Sequence, residues 1–175
     1  MSVGQKEQNA TIGRMIAAEL RQEAVATRKM LERVPEASFD WKPHDKSMTL
    51  ERLAGHIVEM ANWTAATLKH DELDFATAGY KPKKYAAASE LVEDFDKNVA
   101  VAVELLETVS DEEMMQNWRL RNGEQIFFEM PKAAVMRTMV MNHIIHHRGQ
   151  LAVYLRLLDV PLPPVYGPSA DEQPI

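Results

Sequence analysis

Cysteine is absent from the 175 residues of this chain. That excludes disulfides, thiolate metal ligands and a protein thiol nucleophile. Any metal must be held by nitrogen and oxygen, and any thiol chemistry needs a thiol brought from outside. Also missing is a long apolar run. The longest are broken by charges well short of the roughly 18–20 residues that a membrane span requires. The opening stretch MSVGQKEQNA carries no apolar h-region of a secretory signal, so a cytoplasmic location with no membrane partner is expected. Basic residues are in deficit, 20 against 26 acidic, for a formal charge of −6. No Lys/Arg cluster could track a phosphate backbone, which argues against nucleic acid as a partner. Internal repeats and low-complexity tracts are absent too.

What is present fits one globular domain spanning residues 1–175, with 46% hydrophobic residues and enough length to bury a core. Apolar spacing and capping residues predict four long helices. The first runs from about Asn9 to Arg33, with a stripe of Ile12, Met15, Ile16, Leu20, Val25, Met30 and Leu31, and ends at Val34-Pro35. The second runs from about Leu50 to His70, with Thr49 as N-cap and Glu51 favourable in the first turn. The third spans about Ala87 to Val109, starting at Ser89 or upstream, with Leu91, Phe95, Val99, Val103 and Leu106 on its buried side. The fourth starts at Pro131, a residue suited to a first helical position, and continues to about Leu158.

Before the fourth helix, Asn117–Leu120 and Gln125–Phe128 flank Arg121-Asn122-Gly123-Glu124. Asn-Gly between two short apolar-polar runs signals a small hairpin or extended loop, because both residues accept positive φ. The link from about Asp71 to Ala86 is long enough to be a crossover that leaves helices two and three parallel. The tail from Pro161 onward holds five of the nine prolines and should be extended. The expected fold class is all-α: a four-helix bundle with that crossover and a small hairpin.

Asn142-His143-Ile144-Ile145-His146-His147-Arg148-Gly149-Gln150-Leu151 contains three of the six histidines. His143 and His147 are four residues apart, so a helix stacks them one turn apart on one face, where they can share a metal ion. With His143 at the centre of a helical wheel, Met136, Met139, Val140, His147, Gln150, Leu151, Tyr154 and Leu158 fall within about eighty degrees. Two imidazoles in an apolar stripe need partners. Hydrogen-bonded core histidines explain the pair as well as a metal does. His56 tips the reading, because it lies with Leu53, Ile57, Met60, Trp63 and Thr64 on the buried side of helix two.

Three nitrogen ligands plus an open position describe a catalytic zinc-like site, whereas structural sites are usually closed by four protein ligands. The expected ligands are His56, His143 and His147. His146 is a boundary residue; His44 and His70 read as surface or capping residues. Glu59 stands three residues after His56, placed to orient a ligand or receive a proton. Gln150 lies about twenty degrees from His143 and can bond a ligand or substrate. Gly149 suggests close approach by a neighbouring helix, and Arg148 falls on the outer flank, where it can bind an acidic side chain or the negative end of a helix. Ile144, not Glu, follows His143, so the HExxH pattern of metalloproteases is missing and a peptidase is disfavoured.

These residues resemble the DinB/YfiT-like family of metal-binding four-helix bundles, which is unrelated to the DNA polymerase sharing the name. The resemblance covers about Asn9 to Glu172. Trp41-Lys42-Pro43-His44 with Ser47-Met48 looks like the family's entry into helix two, and Leu53-Ala54-Gly55-His56 like its first ligand segment. His143 through Leu151, running into Tyr154-Leu155-Arg156, looks like the ligand helix, and its HHRGQ segment is the most specific part. Pro161 to Ser169 looks like the extended tail of one subgroup.

The resemblance implies His56, His143 and His147 as metal ligands, an unusual helix order and often a homodimer. Characterised members of the family include transferases and isomerases that use bacillithiol, mycothiol or glutathione. A dication on three neutral imidazoles keeps most of its charge and would give hydroxide or thiolate near neutral pH. The leading expectation is a metal-dependent transferase that activates a low-molecular-weight thiol. The alternatives are a metal-dependent hydrolase and a non-catalytic, stress-related metal-binding protein. Zinc is the first choice of metal, and nickel, cobalt, copper and iron also suit imidazole.

Overall fold

Thr11 begins the first helix: its hydroxyl accepts the Arg14 N–H, and α1 (Ile12–Leu31) follows. In this computed structural model, which describes residues 10–173, helix α2 (Leu50–Lys69) is capped the same way by Thr49. Asn9, the expected start of α1, lies outside the described residues. Strand β1 (Glu72–Asp74) and helix α3 (Ala88–Thr108) come next. Then follow a short helix α4 (Asp111–Met114) and strands β2 (Asn117–Asn122) and β3 (Gln125–Pro131). The last regular structure is a continuous helical run: α5 (Lys132–Val135), a π-helical stretch (Met136–Met141) and α6 (Asn142–Leu157).

Polar contacts give the helix directions. Glu51 accepts the Tyr85 N–H near the start of α2, and Asn98 on α3 donates to the Val58 carbonyl further along. Both positions advance together, so α2 and α3 run parallel, joined by the crossover. Arg28 pairs with Asp96 and Arg21 with Glu107, so α1 and α3 run antiparallel. The main core fills the space between the helices with Leu20, Leu31, Leu53, Ile57, Leu91, Phe95, Leu106 and Leu151, all nearly inaccessible to solvent.

The fold is mostly helical, and the all-α expectation needs correction, because a three-stranded sheet is present. β2 and β3 form the anticipated hairpin. Its loop is Gly123-Glu124 rather than Asn122-Gly123. Gly123 has φ +59° while Asn122 closes the ladder opposite Gln125. Glycine at the first of two loop positions suits a type II′ connection. β1, from within the crossover, pairs parallel with β2 and makes it the central strand. A three-residue strand is too short to announce itself by alternation. The sheet packs a second, smaller core of Trp118, Leu120 and Val135 against Trp63, Leu73, Phe75, Phe128 and Met139. That core fixes the crossover beside the outer face of α2.

Three details of the apolar patterns change. Met15 and Val25 are 58% and 57% exposed, while Glu23 and Thr27 occupy the buried face of α1. The last helix starts at Lys132, with Pro131 as the residue before it. That helix also does not keep one α-helical phase. Across the π stretch the Asn142 N–H bonds the Arg137 carbonyl five residues back, and the wider turn rotates everything upstream relative to α6. On α6 the buried face is Ile144, His147, Arg148, Leu151, Tyr154 and Leu155. Its centre lies roughly 80° round the helix from His143. His143 therefore stands at the edge of the stripe, and Gln150 is exposed.

Arg148, expected on the outer flank, is buried. Its guanidinium meets the Glu23 carboxylate at 2.7 Å, bonds the Thr27 hydroxyl, and donates to the Tyr166 hydroxyl of the tail. The tail beyond Pro161 has no helix or strand as far as residue 173 and docks back through Arg33–Glu172 and Arg156–Asp171. Gly149 has no neighbour within 4 Å of where a Cβ would stand, so no helix approaches it. The close approaches are at Gly13, where a Cβ would lie 2.3 Å from the Leu106 carbonyl oxygen, and at Gly55 against Tyr85. Among the described residues no helix is long and apolar enough to cross a membrane.

Candidate metal centre

α2 packs against α6, and His56 meets His143 and His147 across that contact. One ring nitrogen from each of the three lies within 4.8 Å of the others. The ring centroids are 4.6 to 5.1 Å apart. This is a cluster that could hold a metal ion, and it is the only such group of three or more ligating side chains among the described residues. The helical spacing of His143 and His147 brings those two together. Only packing could bring His56, 87 positions before His143 in the chain.

Each ring has a hydrogen-bond partner that orients it. His147 Nδ1 lies 2.8 Å from Gln150 Oε1, and Gln150 Nε2 reaches His146 Nε2 at 3.1 Å. His56 Nδ1 is 3.4 Å from Glu59 Oε2, a long contact. The His143 ring donates to the Met139 carbonyl, within the π stretch. With Nδ1–H of His147 and His56 donating, Nε2 of each keeps its lone pair free.

Electrostatics favour the same state. Burial is the largest cause pulling His147 down to about 4. The His56, His143 and His146 rings add to the drop, while the Gln150 contact opposes it. His143 is also lowered, chiefly by burial and then by His56, against the Met139 carbonyl. Both rings are neutral near pH 7, as a metal ligand must be. The donor set, nitrogen only and partly sheltered from water, fits a borderline dication such as zinc.

Glu59 makes a denser network than the sequence suggested. Its Oε2 accepts the Tyr80 hydroxyl at 2.7 Å and Arg52 Nη2 at 3.1 Å in addition to the His56 contact. Burial raises the Glu59 carboxyl, but bonds from His56, Tyr80 and Arg52 outweigh it, and the net shift is downward. A carboxylate held ionised by three donors on one oxygen is a poor proton acceptor and a good orienting group. Gln150 likewise contacts two histidines. His146 is exposed and tied to Gln150. His44 accepts the Lys46 N–H in the loop before α2, and His70 caps that helix; both are exposed.

Sequence reasoning missed Arg52 and Tyr80. Arg52 stands seven residues before Glu59, two helical turns along one face, which was a readable signal. Tyr80 comes from the crossover and left none. Beside His56 a cavity of about 410 Å³ opens between α2 and the crossover, walled by Met60, Trp63, Leu73 and Phe75.

Comparison with known proteins agrees with this fold. The sequence profile described as "DinB family" matches residues 4–174. An uncharacterized protein of Bacillus subtilis, YrdA, is 25% identical over 150 residues, covering 86% of this chain and 85% of its own. Two solved structures share the fold. A DinB-like protein of Bacillus cereus has a TM-score of 0.67 at 23% identity, over 86% of this chain and 95% of that one. The DinB-like protein YjoA of Bacillus subtilis has a TM-score of 0.65 at 20% identity, over 92% of this chain and 99% of that one. With the family profile spanning nearly all of it, the chain belongs to the DinB family.

Proposed function

We propose that His56, His143 and His147 hold one divalent metal ion, zinc first, and that the protein is a transferase joining the sulfur of a low-molecular-weight thiol to an electrophile. The observation that carries this is the convergence of three ring nitrogens within 4.8 Å, with the rings oriented by Gln150, Glu59 and the Met139 carbonyl. When bound, such a metal lowers the pKa of a thiol or water placed in the position that three protein ligands leave open.

The chain's own residues do the rest. Gln150 and Glu59 hold their imidazoles in one tautomer. Tyr80 and Arg52 keep the Glu59 carboxylate in place and ionised. No cysteine competes for the metal or supplies the sulfur, which agrees with a nucleophile brought from outside. The cavity beside His56 supports a bound second reactant. A homodimer belongs to the same reading, and a monomeric sedimentation mass would remove it.

The test is untagged protein, analysed for metal, then assayed with zinc and a panel of cellular thiols against a generic electrophile. A thiol-dependent rate lost in His143→Ala is the expected result. No rate above that variant with any thiol would overturn the transferase. Chelator-sensitive turnover without thiol would make it a hydrolase. Stoichiometric metal with no turnover would make it a metal-binding protein.

A further inference from the structure

The cavity beside His56 has two unlike ends. Its long walls are apolar: Met60, Trp63 and Ala66 from α2, with Leu73 and Phe75 from the crossover. Aromatic planes dominate them. Trp63 and Phe75 have centroids 6.4 Å apart and Phe75 and Tyr80 6.5 Å, and the rings of each pair are tilted. At the other end stand His56, Arg52 and Glu59.

The charges at that end pair with each other through one atom each, while Arg52 Nη1 and Glu59 Oε1 are buried with no hydrogen-bond partner. Arg52 Nη2 pairs with Glu59 Oε2 at 3.1 Å, and the Tyr80 hydroxyl donates to Glu59 while accepting from Arg52. No other lining residue carries a charge of its own, so the side chains of the metal-free cavity present no net charge, only one free donor at Arg52 Nη1 and one free acceptor at Glu59 Oε1 for a ligand's polar end. An anionic molecule placed here would lose its hydration and meet Glu59 as well as Arg52. A neutral one would lose little. A volume of about 410 Å³ suits a small molecule and excludes a folded partner. Rings prefer tilted or offset neighbours at 4.5–7 Å, so walls of this kind favour a flat aromatic body over an aliphatic one of equal size.

We infer that this cavity binds an uncharged aromatic small molecule, with its body against Trp63 and Phe75 and its polar end toward His56, as the acceptor substrate of the reaction. Its role as acceptor rests on the transferase reading above; its selectivity rests on the cavity alone. Anionic cellular thiols must then approach the histidine cluster by another side.

The experiment is calorimetric titration of the full chain, zinc-loaded and metal-free, with three probes: 1-naphthol, 1-naphthoate and decahydro-1-naphthol. They share a ring skeleton and differ in charge or aromaticity. In the metal-free chain the expected result is 1-naphthol at least tenfold tighter than either of the others. Ala66→Trp fills the cavity and should weaken 1-naphthol at least tenfold while zinc content is unchanged. Should that variant not fold, Phe75→Leu removes one ring at similar bulk and should weaken 1-naphthol several-fold more than decahydro-1-naphthol. The inference is overturned if 1-naphthol does not bind or if, in the metal-free chain, 1-naphthoate or decahydro-1-naphthol binds equally tightly. Unchanged 1-naphthol affinity in the folded variant overturns it too. 1-naphthol binding should persist in His143→Ala and in metal-free protein, so failure of the metal reading and failure of this one give different results.

Discussion

Arg148, the residue next to His147, places its guanidinium 2.7 Å from the Glu23 carboxylate, with both side chains at least nine-tenths buried. The pair ties α6 to α1, and Tyr166 extends it to the tail by accepting from Arg148 and donating to Glu23. A buried pair adds little net stability, because desolvation offsets most of the attraction, but removing one partner strands the other. Arg148→Ala should therefore destabilise by about 3–5 kcal/mol. Replacing both, as Arg148→Met with Glu23→Leu, should recover most of that loss. Chemical denaturation of the two variants measures it, and a double variant as unstable as the single one would contradict the argument.

Gln150 gives a second prediction. It is exposed, yet it accepts from His147 Nδ1. Removing the group that fixes a ligand's tautomer typically weakens metal affinity about 10–100-fold. Water can replace an exposed amide, so Gln150→Ala should fall near the lower end. Competition with a chromophoric chelator reads the zinc affinity directly. No change would mean that the amide does not orient the ring.

Two glycines should respond in opposite directions. Gly149→Ala, with open space around it, should stabilise α6 by about 0.5–1 kcal/mol. Gly13→Ala would push a methyl into the Leu106 carbonyl and Val109, costing on the order of 1–3 kcal/mol. Thermal melts of the two variants should lie on either side of the parent protein, and a stabilised Gly13→Ala would refute the close helix contact.

Asp74 makes the sheet sensitive to acid. Its carboxyl is held below the ordinary aspartate range, first by the Gly123 N–H, then by the Ala76 N–H and the Arg121 charge. Because the folded pKa is depressed, the stabilisation is complete above the unfolded value of about 3.9 and is lost as pH falls through the lower folded value. Asp74→Asn should melt below the parent protein at neutral pH, and the gap should close in acid. A gap that is the same at both pH values would show that the charge contributes nothing.

Much of the helical framework was legible because each signal is local. Thr49 caps α2 where its side chain and the following apolar spacing say it should, and Pro35 and Pro161 lie just beyond the ends of α1 and α6. The pairing of His143 with His147 follows from helical spacing alone. Less legible were features that depend on phase or on distant partners. The wheel drawn on His143 assumed one α-helical phase through the π stretch, so it put Arg148 outside and Gln150 inside. Glu23 and Thr27 look like solvent residues until Arg148 is known to face them.

The sequence by itself determined the helices, the exclusion of thiolate ligands, and two histidines on one face, since composition and near-neighbour geometry need no tertiary knowledge. Only the tertiary structure decided that β1 leaves the crossover to pair with β2, that His56 meets the other two rings, and that Arg52, Glu59 and Tyr80 close around one carboxylate oxygen. These are contacts between residues far apart in the chain. They form where burial of Trp118, Phe75 and the helix faces brings the segments together, and no local pattern records them.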